Sequence, residues 1–422
     1  MHTAIDLAAL ADPQVREAER ILKTCVHCGM CLATCPTYLL LGDERDSPRG
    51  RIYLIKGMLE NMEPPQDTTV RHIDRCLTCL SCMTTCPSGV NYRQLVDHAR
   101  HHIEMTHHRR PPDRWVRRLL AWVLPSPWRF RLALIGALVA RPVAWMLPAL
   151  VRGMVRMAPG SLPSPSWSDV PAVHGARGER RMRVALHTGC AQQVLAPRIN
   201  EATVRLLTRL GCEVVVPPGS GCCGALGHHL GRVEDAKAAA RRNIAAWESS
   251  GPLDAVVSNA SGCGSQLKDY GGLLADDPTW ADRARAVAAM AVDVAEVVEP
   301  LLESSQPPSQ APRIACHVPC SLQHGQRLGD LPARLLKRRG FVVKDIAEGH
   351  VCCGSAGTYN LLQDGLSRRL LERKCGHIAA AGADVVATGN IGCMVQIARR
   401  TPLPVLHTVD LLDWATGGPP PP

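Results

Sequence analysis

The chain has 422 residues, enough for two or three domains, and with 46% hydrophobic residues each can bury a core without covalent staples. Its net charge of +10 is concentrated: residues 100 to 156 hold eleven arginines against Glu104 and Asp113, and the remainder is close to neutral. That distribution argues against an evenly basic nucleic-acid binder, so no nucleic-acid partner is expected.

The opening residues, "MHTAIDLAALADPQVREAER", carry Asp6 and no basic leader followed by an unbroken apolar run. A secretory signal is therefore not expected, and a cytoplasmic location is. Disulfides are uncommon in that compartment, so 19 clustered cysteines point to metal or redox chemistry.

Residues 1 to 110 carry two dense cysteine runs among short helical stretches. Cys25, Cys28, Cys31, Cys35 and Pro36 in "CVHCGMCLATCP" return 51 residues later as Cys76, Cys79, Cys82, Cys86 and Pro87 in "CLTCLSCMTTCP". Cysteines at i, i+3 and i+6 let one loop wrap three iron corners of a cubane, and where two such runs occur the fourth cysteine ligates the other cluster. The spacing thus predicts one [4Fe-4S] cluster on Cys25, Cys28, Cys31 and Cys86, and a second on Cys76, Cys79, Cys82 and Cys35. Tetrahedral zinc would gain nothing from the third cysteine of each run. The forty residues between Cys35 and Cys76 are long for a compact ferredoxin. A mostly helical two-cluster module, resembling those of iron-sulfur subunits in respiratory dehydrogenases, fits better. Within the insert Ser47 can cap a helix that has Pro48 in its first turn. Arg49 and Arg51 then lie either close to the anionic clusters or on the surface.

Residues 111 to 180 form a basic, Trp-rich and Pro-rich segment that ends in the loop-like "APGSLPSPSWSDVPAVHGARGERR". Val116, Leu119, Leu120 and Val123 mark one face of a first helix, with Arg114, Arg117 and Arg118 on another side. Pro125 ends it, and Ser126 with Pro127 starts a second helix that runs until Arg141 and Pro142. The longest uncharged apolar stretch, Leu132 to Ala140, is too short to span a bilayer. Arginine together with Trp115, Trp122, Trp128 and Trp145 suits a helix lying at a lipid surface, a subunit contact, or a hairpin packed on its own domain.

From residue 181 onward short apolar runs ("RVALHTG", "CEVVVPP", "DAVVSN", "RIACHV", "FVVKDI", "ADVVATGN") alternate with longer helical segments, which reads as α/β with largely parallel sheets. His187, Cys190, Cys222, Cys223, Gly224, Gly262, Cys263 and Gln266 recur 130 residues on as His317, Cys320, Cys352, Cys353, Gly354, Gly392, Cys393 and Gln396. Two copies of one lobe follow, residues 181–302 and 313–416, joined by the Pro- and Ser-rich "ESSQPPSQAP" of residues 303–312. The cysteines are expected on loops at strand ends, where parallel sheets place ligands. Each lobe gathers four thiols around a Cys-Cys-Gly turn: Cys190, Cys222, Cys223 and Cys263, then Cys320, Cys352, Cys353 and Cys393. They could hold a further cluster or metal, or form a structural loop. His187 and His317 could ligate, donate to a sulfur, or simply pack. Cys212, Cys316 and Cys375 break the duplication and read as ordinary buried thiols. The fold class is α+β multidomain: a mostly helical two-cluster ferredoxin-like domain, then duplicated α/β lobes.

These Cys-Cys-Gly units resemble those of heterodisulfide reductase, anaerobic glycerol-3-phosphate dehydrogenase and lactate-utilisation proteins. In the reductase the motif ends in C-x2-C and binds an unusual cluster, whereas Gln266 and Gln396 stand at that last position here. The wording of "CVHCGMCLATCPTYLLLGDERDSPRGRIYLIK", "DRCLTCLSCMTTCPSGVNY", "ASGCGSQLKDYG" and "CCGSAGTYNLLQ" is similar to that of the bacterial glycolate oxidase iron-sulfur subunit family over nearly the whole chain, least clearly over 111 to 180. The resemblance implies a complex in which partner subunits carrying FAD oxidise glycolate to glyoxylate. This chain would receive the electrons and pass them to membrane quinone, as a cytoplasmic protein or one peripheral to the inner membrane. No G-x-G-x-x-G fingerprint and no acid/base constellation is found, so no catalytic residue is assigned to the chain itself. Three alternatives remain open: a reductase of the heterodisulfide type acting through the Cys-Cys-Gly half, the iron-sulfur subunit of a lactate or glycerol-3-phosphate dehydrogenase, and a non-enzymatic zinc scaffold.

Overall fold

The computed structural model describes residues 1–61, 64–147, 149–304, 308 and 310–421; within the expected join, residues 305–307 and 309 fall outside this set. The first hundred residues are helical, and their described part contains no strand. Local signals start the helices where expected. Asp12 accepts from the Gln14 backbone N–H (2.8 Å) ahead of Pro13–Thr24, and Ser47 Oγ accepts from the Gly50 N–H (3.1 Å) ahead of Pro48–Asn61. Val15, Ala18, Ile21 and Leu22 then face Leu95, Val96, Ala99 and Ile103 of helix Tyr92–Thr106 in one core, to which Cys25, Cys76 and Cys82 also belong.

Helices Pro111–Val123 and Pro127–Ala140 follow, and beyond them a 3-10 turn, Arg141–Met146, and a further helix, Ala149–Met157. The buried face of the first differs from the apolar stripe read in the sequence. Arg117, Leu120 and Val123 point inward, while Leu119 is half exposed. The cause is a half-buried carboxylate: Asp74 accepts from Arg109 Nη1 (2.7 Å) and Arg117 Nη2 (2.9 Å), and Arg117 also bonds Asp113 (3.0 Å). An ion cluster rather than leucine packing therefore sets the rotation of this helix. Trp115, Trp122, Trp128 and Trp145 all remain exposed, and Leu134 is the one buried residue of the second helix. No helix among the described residues is long and apolar enough to cross a membrane.

Each following lobe carries its own sheet. The first runs in the order β1 (Ala172–His174), β3 (Cys212–Val216), β2 (Met182–His187), β4 (Ala255–Ser258), β5 (Ala291–Asp293); β1 is antiparallel and the rest are parallel. The second, all parallel, runs β7 (Val343–Lys344), β6 (Ile314–Cys316), β8 (Val385–Thr388), β9 (Val405–His407). Register repeats with the sequence: Val184 pairs with Ala255, and Ile314 with Val385, both 130 residues on. Strand β1 lies within the stretch read as loop, so the first sheet begins before residue 181. The lobes share one hydrophobic core, built from β2, β3, β4, β6 and β8 with helices Arg198–Arg209, Val294–Leu301, Leu331–Arg338 and Thr408–Ala415. Arg205 and Arg209 both reach Asp413 across it (2.8 and 2.9 Å).

Burial alone would raise the Asp74 carboxyl, but Arg117 and Arg109 outweigh it and hold it below its ordinary value. The stability this clamp contributes is therefore present above about pH 4, the unfolded carboxylate range, and is lost as pH falls further. Hydrogen exchange should show the helix 111–123 loosening on acidification in the native chain. Asp74→Asn should show that loosening already at neutral pH, with little further change on acidification.

Candidate metal centres

Both cysteine runs form the same wrapped loop. The two residues flanking the middle cysteine of each run are left-handed: His27 (φ 57°) and Gly29 (φ 81°) around Cys28, Thr78 (φ 52°) and Leu80 (φ 63°) around Cys79. Such turns are uncommon for side-chain-bearing residues, and their repetition curls three sulfurs toward one point. Cys25, Cys28 and Cys31 line a cavity of about 440 Å³, its open mouth included, together with Cys86 and, at the shared wall, Cys82. Cys76, Cys79 and Cys82 line another of about 310 Å³ together with Cys35. The fourth cysteine of each run thus stands at the other run's cavity. Thr85 Oγ1 donates to its own repeat partner Thr34 Oγ1 (3.2 Å), joining the two halves. None of the 19 cysteines is in a disulfide.

The donor chemistry suits iron-sulfur clusters. Burial pushes Cys79 and Cys82 well above the ordinary thiol value and Cys31 up to about 11. Sulfurs so placed become thiolates only when a cation balances them.

Arg51 supplies fixed positive charge beside the second cavity. It is 1% exposed, and its Nη1 lies 3.9 Å from Cys35 Sγ. Its Nε donates to the His72 carbonyl (2.7 Å), and Nη2 donates to Thr37 Oγ1 (3.0 Å) and Asp46 (3.4 Å). Asp46, fully buried, also accepts from Arg75 (2.9 Å) and lies 2.9 Å from His72 Nδ1. Burial acts to lower the Arg51 pKa, but the negative charge that Cys76, Tyr92, Cys35 and Asp46 can carry around it outweighs burial and holds it above its ordinary value. Arg49 takes the other cavity: it donates to the His27 carbonyl (3.0 Å) and pairs with Glu44 (2.6 Å). Both arginines therefore lie at the cysteine loops. Asp46, His72, Arg75 and Tyr92 were not picked out in the sequence; only the charged run "DERDSPRGR" hinted at the first of them.

In the lobes the cysteines gather at the C-terminal ends of the parallel strands. His187 ends β2, Cys190 follows it, and Cys222 and Cys223 follow β3. Cys263 and Cys393 depart from the expected loop position and sit in the first turn of helices Ser261–Leu267 and Ile391–Ala398. Ligand atoms of His187, Cys223 and Cys263 all lie within 4.8 Å of one another, as do those of His317, Cys353 and Cys393. Cys190 lies beside Cys222, and Cys320 Sγ is 4.0 Å from Cys352 Sγ. The glycine of each turn has φ +87°, and its N–H donates to the sulfur two residues back, Gly224 to Cys222 and Gly354 to Cys352 (both 3.4 Å). A Cβ at Gly354 would sit 2.6 Å from the Ser367 carbonyl, so glycine is required there. Of the three unduplicated thiols, Cys212 is buried, whereas Cys316 and Cys375 are partly exposed.

A 4Fe-4S dicluster domain matches residues 21–90, and a cysteine-rich domain matches 184–268 and again 314–398. The chain is thus an iron-sulfur protein with a helical cluster-binding module and two cysteine-rich lobes. It is 41% identical to the glycolate oxidase iron-sulfur subunit of Escherichia coli over 98% of this chain and 99% of that one. It is 34% identical to a probable glycolate oxidase iron-sulfur subunit of Bacillus subtilis over 95% and 96%. Lactate utilization protein A of Bacillus licheniformis is 30% identical over 55% of this chain and 99% of its own. The chain belongs to the glycolate oxidase iron-sulfur subunit family. A solved hypothetical protein from Helicobacter pylori shares the fold (TM-score 0.54, 11% identity, 98% of this chain and 74% of that one).

Replacing Arg51 by Met removes a buried positive charge next to Cys35. The midpoint potential of the centre held by the second loop should fall by on the order of 100 mV, for one charge several ångströms away at an effective dielectric near 20. Paramagnetic-resonance redox titration reads this directly, with the first loop's centre as internal reference. Global stability should also drop, by about 1–3 kcal/mol, because the buried His72 carbonyl and Thr37 hydroxyl lose the donors that Arg51 supplies.

Proposed function

We propose that this chain is the electron-transfer subunit of a flavin-dependent complex that oxidises glycolate to glyoxylate and passes the electrons to a membrane quinone. The observation that carries this reading is whole-length similarity to the glycolate oxidase subunit, joined to two cysteine-lined cavities that share Pro48, Cys82 and Tyr92 as lining. Bound [4Fe-4S] clusters supply one-electron redox chemistry. Cys25, Cys28, Cys31 and Cys86 hold one, and Cys76, Cys79, Cys82 and Cys35 the other. The shared wall keeps the two sites adjacent. Arg51 and the Tyr92 hydroxyl, 3.7 Å from Cys76 Sγ, offset thiolate charge, and the surrounding apolar core excludes water. Proton chemistry on the hydroxy acid belongs to the FAD-bearing partners.

The first cavity is the natural side for that partner. Cys28 is exposed there, and Val26, Met30 and Tyr53 stand out around it, Tyr53 edge-on to His27. Glycolate added anaerobically to the co-purified complex should reduce the iron-sulfur signals of this chain, and Cys76→Ser should abolish onward transfer to a quinone analogue. Reduction by lactate but not by glycolate would overturn the substrate assignment.

The exposed tryptophans and arginines of residues 111–146 provide the membrane contact. Arg129 stacks on Trp122 (4.5 Å) and Trp128 (5.3 Å), leaving cations and rings on one surface, as headgroup binding requires. Arg114, Arg118 and Arg141 are exposed as well. Each arginine near an anionic surface contributes about 1 kcal/mol, so replacing these three by Gln should weaken binding to phosphatidylserine-containing vesicles roughly 100-fold. High salt should have a similar effect on the native chain in co-sedimentation, and binding that is indifferent to both would exclude a lipid role.

A further inference from the structure

We propose that each cysteine-rich lobe is itself a metal site in which a buried histidine is a ligand: His187 with Cys223 and Cys263 in the first lobe, and His317 with Cys353 and Cys393 in the second. Cys190 with Cys222, and Cys320 with Cys352, stand next in line as further thiolate donors. The ligand class is a thiophilic cation held by thiolate and neutral imidazole.

Three observations carry this. His187 and His317 are 1% and 3% exposed, yet among the described residues neither ring nitrogen of either meets an oxygen or nitrogen hydrogen-bond partner, and His187 faces the Cys263 sulfur instead. Buried polar groups are nearly always satisfied, so two orphaned imidazoles at equivalent positions need an explanation. Both rings reach within 4.8 Å of two sulfurs, the arrangement a metal would complete.

Next, the geometry arises twice in lobes whose other details differ. The first sheet has an extra antiparallel edge strand, and the strand preceding the Cys-Cys-Gly turn shrinks from five residues to two. The donors nonetheless keep their placement, and the turn glycine keeps both its φ of +87° and its N–H bond to the first sulfur of the pair. Asn390 Nδ2 adds a contact to Cys393 Sγ (3.6 Å). Donors aimed at sulfur favour the thiolate, the form that binds metal.

Finally, the glutamines where another sulfur might stand are otherwise engaged. Gln266 faces His228 (3.4 Å). Gln396 Nε2 donates to Ser367 Oγ (2.8 Å), which in turn donates to the Gly354 carbonyl (2.8 Å). Gln396 thus braces the turn from behind, and with both glutamines engaged the histidine is the nitrogen donor that faces the sulfurs.

The site is independent of which hydroxy acid the complex oxidises. Full-length chain is purified anaerobically, and iron, zinc and acid-labile sulfide are counted in the native protein and in His187→Gln/His317→Gln. X-ray absorption is recorded at the edge of whichever metal exceeds the two clusters. The native chain should carry metal beyond about eight irons, with a nitrogen scatterer near 2.0–2.1 Å if that metal is zinc. The double variant should lose the excess and that scatterer while keeping the eight irons. Excess iron with matching sulfide, or excess zinc without it, both support the proposal and say which cation is held. About eight irons and no other metal, or excess metal showing sulfur scattering alone, would overturn it, and the native spectrum decides this even if the variant fails to fold. The first of these results, with glycolate-driven reduction intact, would leave the electron-transfer reading standing.

Discussion

The interaction on which the structure depends is the gathering of sulfur donors in a low-dielectric interior, where their charge must be met from nearby. Four thiolates around one centre repel one another and lose hydration, so each site needs compensating cations and hydrogen bonds built into the chain. At the second cavity that need explains Arg51, a fully buried guanidinium whose own charge is tied down by Asp46, which is in turn shared with Arg75 and His72. The insert between the cysteine runs is long because it must deliver this helix and its charge cluster to the sulfurs.

Sharing of the fourth cysteine between runs makes the two halves of the module one folding unit. Neither run lines a four-thiol cavity alone, and the Thr34–Thr85 bond marks where the repeats meet. The second loop also packs on the second lobe. Cys79 and Leu77 share a buried cluster with Val351, Cys352 and Tyr359, and Thr84 Oγ1 meets His324 Nδ1 at 2.8 Å. The lobes are duplicates in sequence but not in setting: Cys320 and Cys352 of the second share a cluster with Leu77 and Cys79, while Cys353 and Cys393, like Cys223 and Cys263 of the first, pack in their own lobe's core.

Legibility in the sequence followed range along the chain. The cysteine loops, the proline-started helices and the 130-residue repeat were readable because spacing within a few residues, or its exact recurrence, fixes them. Strands β1, β5 and β9 were not distinguished: three residues carry no period, and "AVD" of β5 directly follows an alanine-rich helix. The face of helix 111–123 was misread because hydrophobic periodicity has no term for an arginine drawn inward by a carboxylate 43 residues earlier. Asp46, His72 and Arg75 escaped for the same reason, since their roles exist only once distant segments meet.

The module has an exposed end and a buried end. At the first cavity Cys28 reaches solvent amid exposed Val26, Met30 and Tyr53, while at the second Cys76, Cys79, Cys82 and Cys35 are all buried. Tunnelling distances favour whichever partner touches the open site, and water is kept from the closed one. The basic, tryptophan-rich helices are anchored through Asp74, whose helix Asp67–Asp74 ends two residues before Cys76, so the segment best suited to a lipid surface is tied to the closed end. On the proposed reading, electrons entering at the exposed loop would travel inward, toward the end of the module to which the basic, tryptophan-rich helices are tied.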